Sequence, residues 1–147
     1  MRYEQETSEA VFQSLLDHFW MSRELGLPKA LRQSPKGYLI SYNKLFLAAR
    51  APVSLPFSGS PLYQIAAFCT LNGLPTLDSL VVGAQTGYPG DGYFGCPGKV
   101  FKIFQGWMPS AEAFRWWEDE VKRCIGCDKY PRKAAGTLDP ATIFLHT

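Results

Sequence analysis

Cys124-Ile-Gly-Cys127 has the spacing of a metal or redox motif, and it is the one close pair among the four cysteines. A structural zinc centre is closed and four-coordinate, so the pair needs two more ligands from distant segments. The set that suits zinc is Cys96, Cys124, Cys127 and His146, with Cys69 and His18 as further donors. A thioredoxin-like role needs its thiols at a helix N-terminus, where the macrodipole stabilises thiolate, whereas these close a helix C-terminus. Thiols at a helix end beside Gly126, with no metal and no cofactor, are the expectation. Neither His18, beside an apolar helical stripe, nor His146 has a carboxylate or nucleophile at motif distance, so both read as packed or solvated.

A second chemistry-bearing stretch runs from Leu80-Val81-Val82 into a turn carrying Gly87, Pro89, Gly90 and Gly92 and ending at Tyr93. Successive backbone N–H groups in such a turn attract anions, but the Gly-Lys-Ser/Thr ending of a nucleotide loop is missing. A wing or hairpin tip is the natural reading. Asp78 and Asp91 flank it, and Asp91 after Gly90 is ordinary turn chemistry. Around the tip lie Tyr88, Tyr93 and Phe94, with Trp116 further on. Residues 122–133 carry Lys122, Arg123, Lys129, Arg132 and Lys133 against Asp128 alone. Aromatic side chains near cations suit stacked bases or a protein hot spot, and cations suit phosphates.

The elements that must position these groups follow from periodicity. Val11, Phe12, Leu15, Leu16 and Phe19 predict a helix over 8–24 with Thr7 or Ser8 as its cap. Lys29–Gln33 suggests one or two helical turns, and 37–40 a short extended piece. Ser41 caps a helix over Tyr42–Arg50, and Ser60 with Pro61 opens another that ends at Asn72-Gly73. The latter's expected packing face is Leu62, Ile65, Ala66, Cys69 and Leu71. Leu77–Val82 and Lys99–Phe104 read as strands. A last helix, opened by Ser110, turns Phe114, Trp117, Val121 and Cys124 or Ile125 inward and leaves Trp116 half-exposed, with acid-first pairs Glu118–Lys122 and Asp119–Arg123. Ile143–Leu145 suits a short strand or docking contact.

Two helices, an extended segment and a glycine-rich hairpin are the element order of a winged helix. Gly37-Tyr-Leu-Ile-Ser-Tyr-Asn-Lys-Leu45, Leu80-Val-Val-Gly83 and Thr86-Gly-Tyr-Pro-Gly90 resemble parts of the DNA-binding domain of O6-alkylguanine-DNA alkyltransferases and their inactive relatives. The likeness covers about residues 37–99 and implies a winged-helix core. Where that family carries its acceptor cysteine this chain has Asp78, which excludes alkyl transfer to cysteine at that position. The helix from Ser60 to Asn72 has no Lys or Arg, which argues against a DNA contact through it.

The chain has 147 residues, 46% of them hydrophobic, and a net charge of +2, enough for one buried core and too little charge to argue for nucleic acid from the total. It is acidic at its start and basic near its end. With no apolar leader and no membrane-length apolar run, the expected location is cytoplasmic, with the cysteines reduced. The expectation is a single α+β domain: a winged-helix-like core at 37–104 with a small antiparallel sheet, an N-terminal helix, a C-terminal amphipathic helix, and a partly extended basic tail at 128–147. Its expected function is non-catalytic recognition of nucleic acid, or of a protein that handles it. The residues that carry this are Tyr88, Asp91, Tyr93, Phe94, Trp116, Lys122, Arg123, Lys129, Arg132 and Lys133. The rival is a small inhibitor, for instance from a phage or other mobile element, that binds a protein and no DNA. A third reading is a small enzyme using Asp78, Asp91, Cys96 and His146.

Overall fold

The computed structural model describes residues 5–25, 35–51, 59–89, 93 and 111–138. Among these residues four α-helices and a two-stranded sheet make a mixed α+β fold: α1 Gln5–Glu24, β1 Ile40–Ser41, α2 Tyr42–Ala48, α3 Gly59–Leu71, β2 Val81–Val82 and α4 Ala111–Gly126. Two 3-10 turns, Pro35–Tyr38 and Leu77–Leu80, precede the strands. Among the described residues no helix is long and apolar enough to cross a membrane.

The predicted stripe on α1 is the centre of the core, since Val11, Phe12, Leu15, Leu16 and Phe19 are all fully buried. They meet Leu45 and Phe46 of α2, Ile65 and Cys69 of α3, and Val121, Cys124 and Ile125 of α4. Phe19 sits among aromatic rings, with centroids of Tyr130 at 5.0 Å, Trp20 at 5.1 Å and Tyr38 at 5.9 Å. The helix begins earlier than expected, at Gln5, and buries Ser8 within it, so neither Thr7 nor Ser8 is its cap. The extra turn is held by tertiary bonds: Gln5 Nε2 donates to the Leu138 carbonyl and Glu9 Oε2 accepts from the Gly136 N–H.

Ser41 caps α2 as read, its hydroxyl accepting from the Lys44 N–H at 3.2 Å. α2 stops at Ala48 because Arg50 takes φ 56° and the Ala51 N–H reaches back to the Phe46 carbonyl at 2.8 Å. α3 ends the same way, with Gly73 at φ 68° and the Leu74 N–H on the Cys69 carbonyl at 2.8 Å. Both are left-handed caps of the Schellman type, which satisfy carbonyls that the last helical turn leaves open. Ser60 lies inside α3, which starts at Gly59. Leu71, expected on the packing face, is 60% exposed, while Phe68 meets Phe12 at 5.5 Å instead.

The two described strands pair in parallel, Ile40 opposite Val81 and Ser41 opposite Val82. The expected antiparallel partner, Lys99–Phe104, lies outside the described residues, as do Lys29–Gln33 and Ile143–Leu145. The strand expected over 77–82 is shortened to Val81–Val82, because Leu77–Leu80 coils into a 3-10 turn. Leu77 and Leu80 are both fully buried. A spacing of three puts them on one face of a 3-10 turn, whereas a strand would send them to opposite faces.

Residues 127–138 do not trail away. They lie along α1, whose polar side holds them through a series of side-chain to backbone bonds. Gln13 donates from Nε2 to the Arg132 carbonyl at 3.0 Å and accepts the Ala134 N–H on Oε1 at 2.8 Å, as a strand partner would. Trp20 Nε1 donates to the Pro131 carbonyl at 3.2 Å, and Arg23 donates to the Cys127 carbonyl. Tyr130, Ala134 and Leu138 are buried against the core.

Candidate functional site

Among the described residues, the buried polar side chains Asp78, Ser79 and Glu120 gather at the Leu77–Leu80 turn. α4 and the segment before the turn are joined there by Glu120, whose Oε2 accepts the Thr76 N–H at 2.9 Å and the Thr76 hydroxyl at 3.0 Å. The other oxygen, Oε1, pairs with Arg123 Nε at 2.9 Å. Trp117 Nε1 donates to the Ser79 carbonyl at 2.8 Å, the Cys124 thiol reaches the Thr76 carbonyl at 3.3 Å, and the Tyr130 hydroxyl donates to the Pro75 carbonyl at 2.6 Å. Ser79 Oγ lies 3.1 Å from Thr76 Oγ1 and 2.7 Å from the Tyr93 hydroxyl.

Asp78 is the exception in this network. Its carboxyl is buried, and Oδ1 has no hydrogen-bond partner among the described residues. Burial raises its pKa from 3.8 to about 7, opposed by a hydrogen bond from its own backbone N–H and assisted to a lesser degree by the nearby Glu120 carboxylate. Burial also pushes the Tyr93 phenol and the Cys69 and Cys124 thiols upward, and each of them feels the Asp78 charge as well. A carboxyl raised to that range can exchange a proton near neutral pH, while the Tyr93 phenol and the two thiols hold theirs.

The glycine turn after β2 is tight. The Gly87 N–H reaches the Gly83 carbonyl at 2.9 Å, the Gly83 N–H reaches the Tyr88 carbonyl at 3.0 Å, and Gly87 takes φ 77°. Tyr88 is 37% exposed and packs edge-on against Phe114 of α4 at 4.9 Å. Tyr93, read as an outward tip residue, is half-buried with its hydroxyl on Ser79. Trp116 is half-buried as read, 6.3 Å from the Tyr93 ring and with the Arg123 guanidinium 6.0 Å from its ring centre. Asp91 and Phe94 lie outside the described residues.

The five cations do not form one free patch. Arg123 pairs with Glu120 rather than with Asp119, because the Glu120 carboxylate is fixed by Thr76 within its reach. Arg132 pairs with Glu24 at 3.2 Å and stacks on Trp20 at 3.9 Å. Lys122, Lys129 and Lys133 are exposed.

His18 is packed, as read: its Nε2 lies 2.9 Å from the Tyr38 carbonyl, and burial lowers its pKa from 6.5. Of the zinc set, Cys96 and His146 lie outside the described residues, and among the described residues no group of three or more His, Cys, Asp or Glu is placed to hold a metal. Cys124 is fully buried within α4 and Cys127 half-buried just beyond it.

No protein family, curated protein or solved structure matches the chain. The grouping therefore stands on its own geometry. Thr76, Ser79 and Glu120 were not singled out by sequence reasoning. Glu120 did leave a signal, since it falls three residues after Trp117 and four before Cys124, inside the apolar arc of α4. An acid there is either exposed by a bend or paired, and it is paired.

Proposed function

We propose that the protein binds nucleic acid, or a protein that handles it, through the outer side of α4 and the turn packed against it. The observation that carries this reading is the cluster Tyr93, Trp116 and Arg123, in which a half-buried indole lies 6.3 Å from a phenol ring and 6.0 Å from a guanidinium. A base stacks on such a platform whatever its identity, and the exposed Lys122, Lys129 and Lys133 supply charge for the backbone. In this reading α2, α3 and the short strands are the winged-helix-like core, with 99–104 completing an antiparallel hairpin, and the likeness to the alkyltransferase DNA-binding domain extends to its ligand class. The absence of Lys and Arg from α3 moves the contact from that helix to α4.

Replacing Lys122, Lys129 and Lys133 together by Glu tests it. Duplex or single-stranded DNA affinity should fall, and the dependence of log K on log salt should become shallower by about 0.7–0.9 for each phosphate that is no longer neutralised. Unchanged affinity and slope remove the reading. The inhibitor alternative predicts instead a protein that co-purifies with the chain and is lost on Tyr88→Ala, with no affinity for DNA. A catalytic reading rests on one observation, the buried Asp78 carboxyl beside Ser79 and Tyr93. It requires turnover that Asp78→Asn abolishes while the fold is kept.

A further inference from the structure

Asp78 and Ser79 are adjacent, yet they stand in opposite states. Ser79 is a fastening point, since its hydroxyl meets the Tyr93 hydroxyl at 2.7 Å and its carbonyl receives the Trp117 indole N–H at 2.8 Å. Asp78, one residue earlier in the same turn, has a buried carboxyl oxygen with no partner among the described residues. Among the described residues the ionisable groups that interact with it are acids or weak acids: Glu120 and Cys124 from α4, Cys69 from α3, and Tyr93. The Arg123 guanidinium is engaged on Glu120 Oε1. A proton on Asp78 removes the conflict, because a neutral carboxyl tolerates both burial and the Glu120 carboxylate.

We infer that Asp78 is a proton-operated pin: protonated, it holds the Leu77–Leu80 turn shut with Tyr93 and Trp117 fastened to Ser79, and on losing its proton it drives the turn outward and unfastens both. Ionisation charges a buried site that already holds the Glu120 carboxylate, and the route to solvation is movement of the turn itself. The turn lies directly before β2 and is contacted by α4, so opening it frees one side of the Tyr93 and Trp116 platform. The inference needs no nucleic acid and is independent of the binding reading, so either can fail alone.

The test is amide hydrogen exchange by NMR on the full chain from pH 5 to pH 8, corrected for intrinsic exchange rates, with the Trp117 indole N–H resonance as a second reporter. Linkage makes the opening constant of residues 77–82 rise roughly tenfold per pH unit while the closed state holds its proton, and level off above about pH 7. Asp78→Asn, which keeps the shape and cannot ionise, should abolish that slope and leave the Trp117 signal constant with pH. Tyr93→Phe removes the fastening while leaving the pin, so opening should increase at every pH with the slope kept. A wild-type opening constant independent of pH, or the same slope in Asp78→Asn, overturns the inference.

Discussion

A carboxyl group enclosed beside a second carboxylate, as Asp78 is beside Glu120, makes folding take up a proton. Its unfolded pKa is 3.8 and its folded value about 7, so its contribution is full below about pH 4, falls as pH rises, and is gone above about pH 7. His18 works in the other sense, because burial lowers its pKa below 6.5 and its contribution is lost as pH falls through that lowered value. In the wild-type chain the two slopes oppose each other on the acid side of neutrality. Asp78→Asn should therefore stabilise the fold by as much as about 4 kcal/mol at pH 8 and by under about 2 kcal/mol at pH 5, read from urea unfolding at both. It should also uncover the acid-side loss from His18. Burial pushes the Cys69 and Cys124 thiols upward as well, so iodoacetamide at pH 8 should leave both unmodified in the folded chain, as peptide mass spectrometry would show. At this scale the sequence was readable where a side chain obeys its own pattern, as His18 and Trp117 do. It was unreadable for Ser79 and Thr76, whose partners come from a helix about forty residues away.

Helix ends show how far local chemistry carries. Ser41 announces α2 and Gly73 announces the end of α3, and both do what their types prefer. Arg50 occupies the same left-handed cap position as Gly73 and bears a side chain there, which costs about 1 kcal/mol relative to glycine. Arg50→Gly should thus raise stability by about 0.5–1 kcal/mol, and Gly73→Ala should lower it by about 1 kcal/mol, a sign reversal visible in thermal melts of the two variants. The 77–80 turn was misread as strand because Leu77, Leu80, Val81 and Val82 form an apolar run whose length and composition suit a buried strand equally well. What decides is that Leu77 and Leu80 share one buried face, and that follows from α4 covering the turn. The glycine turn was readable as a tight turn, but not as one laid against Phe114.

At the scale of the whole molecule, the acidic start and the basic end are parts of one contact. Gln5, Glu9 and Gln13, one helical turn apart, form a polar stripe that bonds successive backbone groups of residues 132–138, and Glu24 takes Arg132. Each of these residues looks like ordinary solvated helix surface in the sequence, which is why 128–138 read as a tail. Gln13→Ala leaves the buried Ala134 N–H without its acceptor and should cost about 1–3 kcal/mol in urea unfolding, more than an exposed glutamine normally costs.

That stripe also sets the order in which the protein can be finished. Gln5 and Leu138 are 133 residues apart, and Phe19 is covered by Tyr130. During translation the first helix leaves the ribosome long before its covering strap exists, so its inner aromatic rings await a segment that is still to be synthesised. For this chain the nascent form is the vulnerable one, and completion comes only when the strap emerges and closes over the helix made first.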